Sequence, residues 1–316
     1  MRSFACAVVA CLCVSAAVFA GTMQQQNAFR PPEGRTWLFI GQNKESIDAY
    51  AKALDEGFSG VMLYTSIQEL SGLDSPADHG AGVHHGAYLL KKYPEAALQI
   101  GLYMVDALDA INRGEYDDHI VKLARWVGST GRPVFLRIGY EFDFSENRYD
   151  PRQYQNAFRR IVDKFRSLKI ENAVFVWHSA LPPSRKSDMM AWYPGDEYVD
   201  WFAVSFFTVN QFRPAEEFAL LARQRGKPFM IAEATPFAAM SVRSKIDWLK
   251  KFFRLIETTD AQAACYINTD WDSQPMFKGQ GWGDSRLERS AELKEFWLSE
   301  IRKARFFSDR MGDGRQ

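Results

Sequence analysis

The stretch VFLRIGYEF, residues 134–142, is a short apolar run that closes on a carboxylate, Glu141. The stretch PFMIAEA, residues 228–234, has the same character and carries Glu233 near its end. Apolar runs of this length, bounded by turn-forming residues, are typical of buried β-strands. Each glutamate is therefore expected near the C-terminal end of its own strand.

Six further runs of the same kind complete a regular pattern along the chain. The eight predicted strands are residues 37–42, 60–67, 98–105, 134–142, 173–179, 201–207, 228–234 and 263–270. Amphipathic patterns between them predict helices at residues 44–56, 85–93, 116–128, 151–168, 215–225, 242–257 and 287–305. Capping residues agree, since Ser241 and Asp150 precede two of these helices and Gly226 follows a third. This alternation predicts a (β/α)8 TIM barrel of the α/β class.

A doubly wound open sheet is the alternative for such an alternation. It usually has a glycine-rich turn after its first strand, whereas FIGQN stands here at residues 39–43. No Pro/Gly/Ser-rich linker divides the chain, so residues 21–316 are predicted to form one domain. In a barrel the active site is built at the C-terminal strand ends, where both glutamates fall.

Residues 1–20 have the character of a secretory signal peptide, with Arg2 before an apolar run rich in small residues. Val18 and Ala20 fit a cleavage site, so we expect Gly21 as the first mature residue and a secreted or periplasmic protein. A lipoprotein with Cys11 acylated is the alternative. No other stretch approaches the roughly 18 apolar residues that a membrane span requires.

Charge and cysteine content narrow the class of function. Lys plus Arg and Asp plus Glu both total 39, so the net charge does not indicate nucleic acid or an anionic membrane as a partner. Aromatic residues make up 14% of the chain, which suits a neutral sugar polymer because one face of a sugar ring is apolar. Outside the predicted signal, Cys265 stands alone among apolar neighbours, so we expect a buried thiol without a disulfide. We expect a monomer.

Side-chain alternation along a β-strand predicts which residues share a face. On the strand at residues 134–142 it groups Arg137 with Glu141 and places Tyr140 on the opposite face. On the strand at residues 228–234 it groups Glu233 with Phe229. An ion pair that serves only the barrel structure is the alternative role for Arg137, although burying a charge is costly.

Two carboxyl groups that face each other across one bond are what hydrolysis of a glycosidic bond requires. One carboxyl protonates the leaving oxygen, while the other attacks or supports the sugar carbon. Glu141 and Glu233 therefore make a glycosidase the predicted class.

The chain resembles glycoside hydrolase family 26, a family of clan A retaining glycosidases best known for endo-β-mannanases. The likeness rests on three segments: LRIGYEF at residues 136–142, WYPGDEYVDW at residues 192–201 and KPFMIAE at residues 227–233. The resemblance implies an enzyme that needs no cofactor, with Glu141 as the acid/base and Glu233 as the nucleophile. We expect Arg137 deep in the barrel below these two residues and nearer Glu233, because the nucleophile is ionised at rest and the general acid stays protonated.

Several positions depart from the pattern of that family. Tyr140 stands where the family commonly has a histidine before the acid/base glutamate. Phe206 and Phe207 occupy the sixth strand, where many clan members have a tyrosine that hydrogen-bonds the nucleophile. Ala234 and Thr235 replace the aromatic residue and the glycine that usually follow the nucleophile. These changes bear on the sugar and its linkage more than on the chemistry.

Further candidates for contact with the sugar lie on the strand of Glu141 and at other strand ends. They are Arg137, Tyr140, Tyr103, Trp177, His178, Asp270 and Trp271. The resemblance favours Trp271 as the floor under the sugar at the cleavage point. A structural histidine is the alternative for His178, and a rim aromatic is the alternative for Tyr103.

Histidines 79, 84 and 85 lie in one glycine-rich loop, but their spacing matches no zinc signature. We assign no metal and expect this loop to lie over the cleft. The sequence thus predicts an exported barrel that hydrolyses a β-linked polysaccharide, a β-mannan or a related β-glucan or xylan, by double displacement. A carbohydrate-binding barrel without activity and a transglycosylase are the alternatives.

Overall fold

The computed structural model describes residues 29–182, 189–238, 241–303 and 305–307. The predicted signal peptide, its cleavage site and Cys11 lie outside the described residues. Eight parallel strands form the centre of the fold: β1 (Thr36–Gly41), β2 (Gly60–Ser66), β3 (Ala97–Tyr103), β4 (Val134–Ile138), β5 (Ala173–Ser179), β6 (Trp201–Phe206), β7 (Phe229–Ala234) and β8 (Ala263–Ile267). Each pairs with the next, and β8 pairs with β1 to close the ring. The predicted (β/α)8 barrel is confirmed.

Helices surround the barrel and connect its strands. They are α1 (Lys44–Leu54), α2 (Gly86–Lys92), α3 (Leu108–Arg113), α4 (Asp117–Ser129), α5 (Pro151–Ser167), α6 (Phe212–Gln224), α7 (Val242–Thr259) and α8 (Ala291–Ile301). The predicted caps at Asp150 and Ser241 are present, each accepting a hydrogen bond from a backbone N–H three residues on. The helix predicted at residues 287–305 is shorter, because Ser290 caps a separate helix after the 3-10 turn Leu287–Arg289.

Two connections do not follow the regular pattern in which each strand is followed by one helix. Both α3 and α4 follow β3, and α3 was not predicted. Between β5 and β6 the described residues contain only a 3-10 turn, Met189–Trp192. In the part of the chain that the structure describes, no helix has the length and apolar character needed to cross a membrane.

The apolar side chains form two layers, one inside the barrel and one between the barrel and the helices. The inner layer includes Phe39, Met62, Phe135, Trp201 and Cys265, all buried. Burial raises the pKa of the Cys265 thiol, so it packs as a hydrophobe, as predicted. The inner layer fills the lower barrel and leaves polar side chains for the C-terminal mouth.

Trp177 belongs to the outer layer, and its predicted contact with the sugar is wrong. Its ring stacks on Phe142 with centroids 4.5 Å apart and packs against Phe202 at 5.1 Å and Phe218 at 5.2 Å. The cause is alternation along β5, which turns His178 into the barrel and the neighbouring Trp177 out toward the helices.

Trp177→Ala is therefore expected to lower the free energy of unfolding by about 3 to 5 kcal/mol, the usual cost of removing a buried tryptophan side chain. Chemical denaturation measures this loss. Because the ring does not face the mouth, the affinity of the folded variant for saccharide should stay within about two-fold of wild type. A large loss of saccharide affinity with unchanged stability would contradict the outward placement.

Candidate active site

Glu141 lies three residues beyond the end of β4, in a turn rather than in the strand. The backbone leaves the strand at Gly139, where φ is +54°, and Glu141 itself has φ +52°. A Cβ at Gly139 would lie 2.6 Å from the Met104 Cε atom and 2.8 Å from a ring carbon of Tyr154, so glycine is needed here. The strand predicted to reach residue 142 therefore ends at Ile138.

Side chains from the following residues hold this irregular turn. The Asn147 side-chain amide donates to the Glu141 carbonyl oxygen at 2.9 Å and to the Tyr140 carbonyl oxygen at 3.2 Å. The Asp143 carboxylate accepts from the Ser179 hydroxyl at 2.6 Å and from the Ala180 backbone N–H at 2.7 Å. A left-handed conformation at a glutamate costs about 1 to 3 kcal/mol, and these bonds offset it. Glu141 is thus fixed by its neighbours.

Glu233 reaches the barrel interior through a bulge in β7. Phe229 and Ile231 face the helices, whereas Met230 and Ala232 face inward. The register against β6 then shifts, so that Glu233 faces inward directly after Ala232. The prediction that Phe229 and Glu233 share a face is wrong, because the bulge breaks the alternation between them.

Gln99, fully buried on β3, supports this bulge from across the barrel. Its side-chain amide donates to the Ala232 carbonyl oxygen at 2.7 Å. A bulge disrupts the ladder locally, and a buried carbonyl without a partner is costly. Gln99 thus satisfies the backbone at the point where β7 turns the Glu233 carboxylate inward.

Arg137 is fully buried on β4 and forms an ion pair with Glu233. One terminal nitrogen, Nη1, donates to Glu233 and also lies 3.2 Å from Nδ1 of His178. The rings of Tyr64 and Tyr140 lie 5.1 and 5.3 Å from the guanidinium carbon. Arg137 was expected below the two glutamates and nearer Glu233 than Glu141, and its contact with Glu233 confirms this prediction.

A hydrogen-bonded chain continues from Arg137 to Glu141. His178 Nε2 lies 3.0 Å from the Ser205 hydroxyl, and that hydroxyl donates to Glu141 Oε1 at 2.6 Å. Both linking side chains, His178 and Ser205, are fully buried. The two carboxyl groups therefore belong to one hydrogen-bonded network. In it, Glu233 pairs with a permanent cation, and Glu141 accepts from a neutral hydroxyl.

The two glutamates differ in their surroundings. Burial raises the pKa of the Glu141 carboxyl, and the negative charge of Glu233 raises it further. Arg137 and Ser205 act in the opposite direction without cancelling that increase. Burial, with the charge of Arg137, holds the pKa of His178 well below its usual range, so its ring is neutral. Glu141 is thus suited to hold a proton while Glu233 pairs with a cation.

Tyr140 was predicted to face away from Arg137, and this prediction is wrong. Because the backbone turns at Gly139, the Tyr140 ring lies beside Arg137 and packs on Tyr64 with centroids 5.2 Å apart. Tyr64, from β2, was missed in the sequence, and its ring lies against the guanidinium group of Arg137. Its place on the inner face, two residues after Met62, was the available signal.

An aromatic cluster lines another side of the mouth. Trp271 donates its ring N–H to the Thr235 hydroxyl at 3.1 Å and lies under Phe277 and Trp282, with centroids 4.5 and 5.0 Å away. With 2% of its surface exposed, Trp271 has no free face for a sugar. The half-buried Trp282, which also contacts Phe237 at 4.9 Å, provides the accessible ring and was not singled out from the sequence.

The remaining predicted contacts occupy the rim. The Asp270 carboxylate is bound by Arg286 at 2.9 Å, and Arg286 also binds Asp284, so Asp270 belongs to an ion-pair cluster. Tyr103 is 39% exposed, with its ring centroid 6.5 Å from that of Tyr140. Its placement fits the rim aromatic that was the alternative for this residue.

The histidine-rich loop forms a short hairpin beside the mouth, pairing Ala77–Asp78 with Val83–His84. The buried His84 ring packs against Tyr64 at 5.5 Å, and the Gly80 carbonyl accepts from the Met276 N–H at 2.9 Å. Burial lowers the pKa of His84 to about 4. Within the described residues, no group of three His, Cys, Asp or Glu side chains is placed to hold a metal ion.

Both glutamates lie in a stretch of the chain that matches a known protein family. The model of glycosyl hydrolase family 26 matches residues 126–278. A β-1,3-xylanase from a Vibrio species is 30% identical over 306 residues, covering 87% of this chain and 66% of that protein. A β-1,3-xylanase from an Alcaligenes species is 29% identical over 309 residues, covering 88% and 66%. The chain thus spans 66% of the length of each relative.

Solved structures share the fold at lower sequence identity. A GH26 β-mannanase from Bacteroides ovatus matches with a TM-score of 0.65 and 11% identity, over 92% of this chain and 93% of that one. The catalytic domain of a GH26 endo-β-1,4-mannanase from a Bacillus species matches with a TM-score of 0.59 and 15% identity, over 84% and 86%. At these identities the likeness concerns the fold alone.

Proposed function

The chain belongs to glycosyl hydrolase family 26, and from this premise we propose that it hydrolyses a β-linked polysaccharide with retention of anomeric configuration. The observation that carries the proposal is the contrast between two glutamates in one network. Glu233 is paired with the buried cation of Arg137, while Glu141 accepts a hydrogen bond from a neutral hydroxyl in a buried setting. Carboxyl groups held in different electrostatic states are the usual sign of an acid and a nucleophile.

Each glutamate has a role in two displacements. Glu233 attacks the anomeric carbon while Glu141 protonates the leaving oxygen, which gives a covalent glycosyl-enzyme. Glu141, now ionised, takes a proton from water as that water displaces Glu233. This mechanism requires the two carboxyl groups to lie about 5 to 5.5 Å apart, which stays a prediction.

We propose β-1,3-xylan as the substrate, because the relatives at 29% and 30% identity are both β-1,3-xylanases. The β-mannan favoured by the family resemblance ranks second, since the mannanases match at 15% identity or less in the two structures described above. Accessible rings at Trp282 and Phe237 would pack on the apolar faces of the sugar units. Export through the N-terminal segment is part of the same proposal.

The test is turnover of a polysaccharide panel by the purified protein, with β-1,3-xylan, β-1,4-xylan, β-1,4-mannan and β-1,3-glucan. We expect β-1,3-xylan to give the largest kcat/KM and proton NMR to detect the β-anomer first. The α-anomer first would show inversion. Tight binding of the panel without turnover would leave a carbohydrate-binding barrel, and products longer than the substrate would indicate transglycosylation.

A further inference from the structure

The hydrogen bonds that link Arg137 to Glu141 through His178 and Ser205 run in one direction, because the chemistry of each group determines whether it donates or accepts. A guanidinium group only donates hydrogen bonds and stays protonated in proteins. His178 Nδ1, 3.2 Å from Arg137 Nη1, must therefore accept, which leaves the proton of the neutral ring on Nε2. The tautomer of His178 is thus set by a group that does not titrate.

The same logic carries the direction through the next two bonds. His178 Nε2–H donates to the Ser205 hydroxyl oxygen at 3.0 Å, so the Ser205 hydrogen is directed to Glu141 Oε1 at 2.6 Å. Both linking residues are fully buried. A buried polar side chain keeps its partner because no solvent is available to replace it.

We propose that His178 and Ser205 are positioning residues that determine which oxygen of Glu141 carries the acid proton. In a protonated carboxyl the carbonyl oxygen is the better acceptor, so the Ser205 hydroxyl keeps Oε1 in that role and leaves the proton on Oε2. On this inference, which rests on the proposed function, Oε2 is the oxygen that serves the leaving group. Because His178 and Ser205 are both neutral, they direct that proton without placing a second cation beside Glu141.

Other charges act on Glu141, and none of them has this directional effect. Glu233 and Asp143 favour the protonated form, and Arg137 favours the ionised form. Burial raises the pKa of the Tyr140 and Tyr149 hydroxyls, and the negative charge of Glu141 raises both further. Removing the Ser205 hydroxyl leaves all of these groups in place, so a change in titration would isolate its contribution.

The test is a carbon-13 NMR titration of glutamate-labelled protein without substrate, with the Glu141 signal assigned from Glu141→Gln. Ser205→Ala should move the Glu141 midpoint to higher pH, because the ionised carboxylate loses a donor. A midpoint that falls would mean that Glu141 donates to Ser205, and an unchanged midpoint would mean that the bond does not form. Either result overturns the proposal.

Two variants of His178 form a matched pair. His178→Gln keeps a nitrogen donor at the place of Nε2, so its midpoint should stay at the wild-type value. His178→Asn is too short to reach Ser205, although its amide oxygen can still accept from Arg137, so its midpoint should move upward as in Ser205→Ala. Equal midpoints in the two variants would overturn the directional role of His178. Thermal unfolding confirms that each variant is folded, and Ser205→Ala alone decides the sign if a histidine variant fails to fold.

The titration also separates this inference from the proposed function. It needs no substrate, so a protein that cleaves no polysaccharide can still show the upward shift. In an active protein, Ser205→Ala should reduce kcat/KM about ten-fold for substrates with poor leaving groups and much less for aryl glycosides that need little acid assistance. An equal loss for both would assign Ser205 to binding rather than to the proton.

Discussion

Glu233→Ala is expected to reduce kcat on the order of 10⁶-fold, the scale on which loss of a nucleophile acts in other covalent mechanisms. Added azide should then restore measurable turnover, because a small anion can occupy the space of the lost carboxylate. The product should be a glycosyl azide of inverted configuration, since the anion attacks the sugar once. NMR of the azide product measures the outcome, and full activity without azide would remove Glu233 from the mechanism.

The same substitution is expected to destabilise the fold. Arg137 is fully buried, and Glu233 is its ion-pair partner. Removing one partner of a buried pair typically costs about 3 to 5 kcal/mol, because the remaining charge is left uncompensated. Glu233→Gln, which keeps a hydrogen-bond acceptor for Arg137, is the matched control. It should be as inactive as Glu233→Ala but more stable in chemical denaturation.

The barrel could be predicted because each strand and helix is a local pattern repeated along the chain. The inward side of Glu233 was predicted correctly but by a wrong route, because alternation along β7 grouped Glu233 with Phe229. Phe229 faces outward, and Glu233 faces inward only through the bulge supported by Gln99. A bulge stabilised by a side chain from a distant strand leaves no periodic signal in the sequence.

Of the residues that link the two glutamates, Ser205 was missed for a related reason. Ser205 is an ordinary strand residue in sequence, and its role arises from lying between His178 and Glu141 in space. Trp177 and His178 are adjacent, so one of them faces the cavity and the other faces the helices. Deciding between them required knowing which face of β5 points into the barrel. Its valines and phenylalanine are all apolar and give no such indication. When both faces of a strand are buried, tertiary packing determines which of its residues face the barrel interior.

Stability should depend on pH through Glu141 in a definite direction. Folding raises the pKa of this carboxyl, so the unfolded chain releases the proton first as pH rises. The free energy of unfolding therefore falls across the interval between the unfolded and folded pKa values. Glu141→Gln removes this loss, and its Tm should equal or exceed that of wild type, increasingly so at higher pH. A Tm well below wild type at pH 8 would contradict this.

Glu141→Ala is expected to reduce kcat/KM about 10² to 10⁴-fold for natural polysaccharide, the usual contribution of a general acid. Glycosides with good leaving groups should still form the glycosyl-enzyme, because their departure needs little protonation, and the intermediate should then accumulate. Azide should release it as a glycosyl azide of retained configuration, since Glu233 has already inverted the centre once. Burst kinetics and NMR measure both effects. An azide product of inverted configuration would show that the roles assigned to the two glutamates must be reversed.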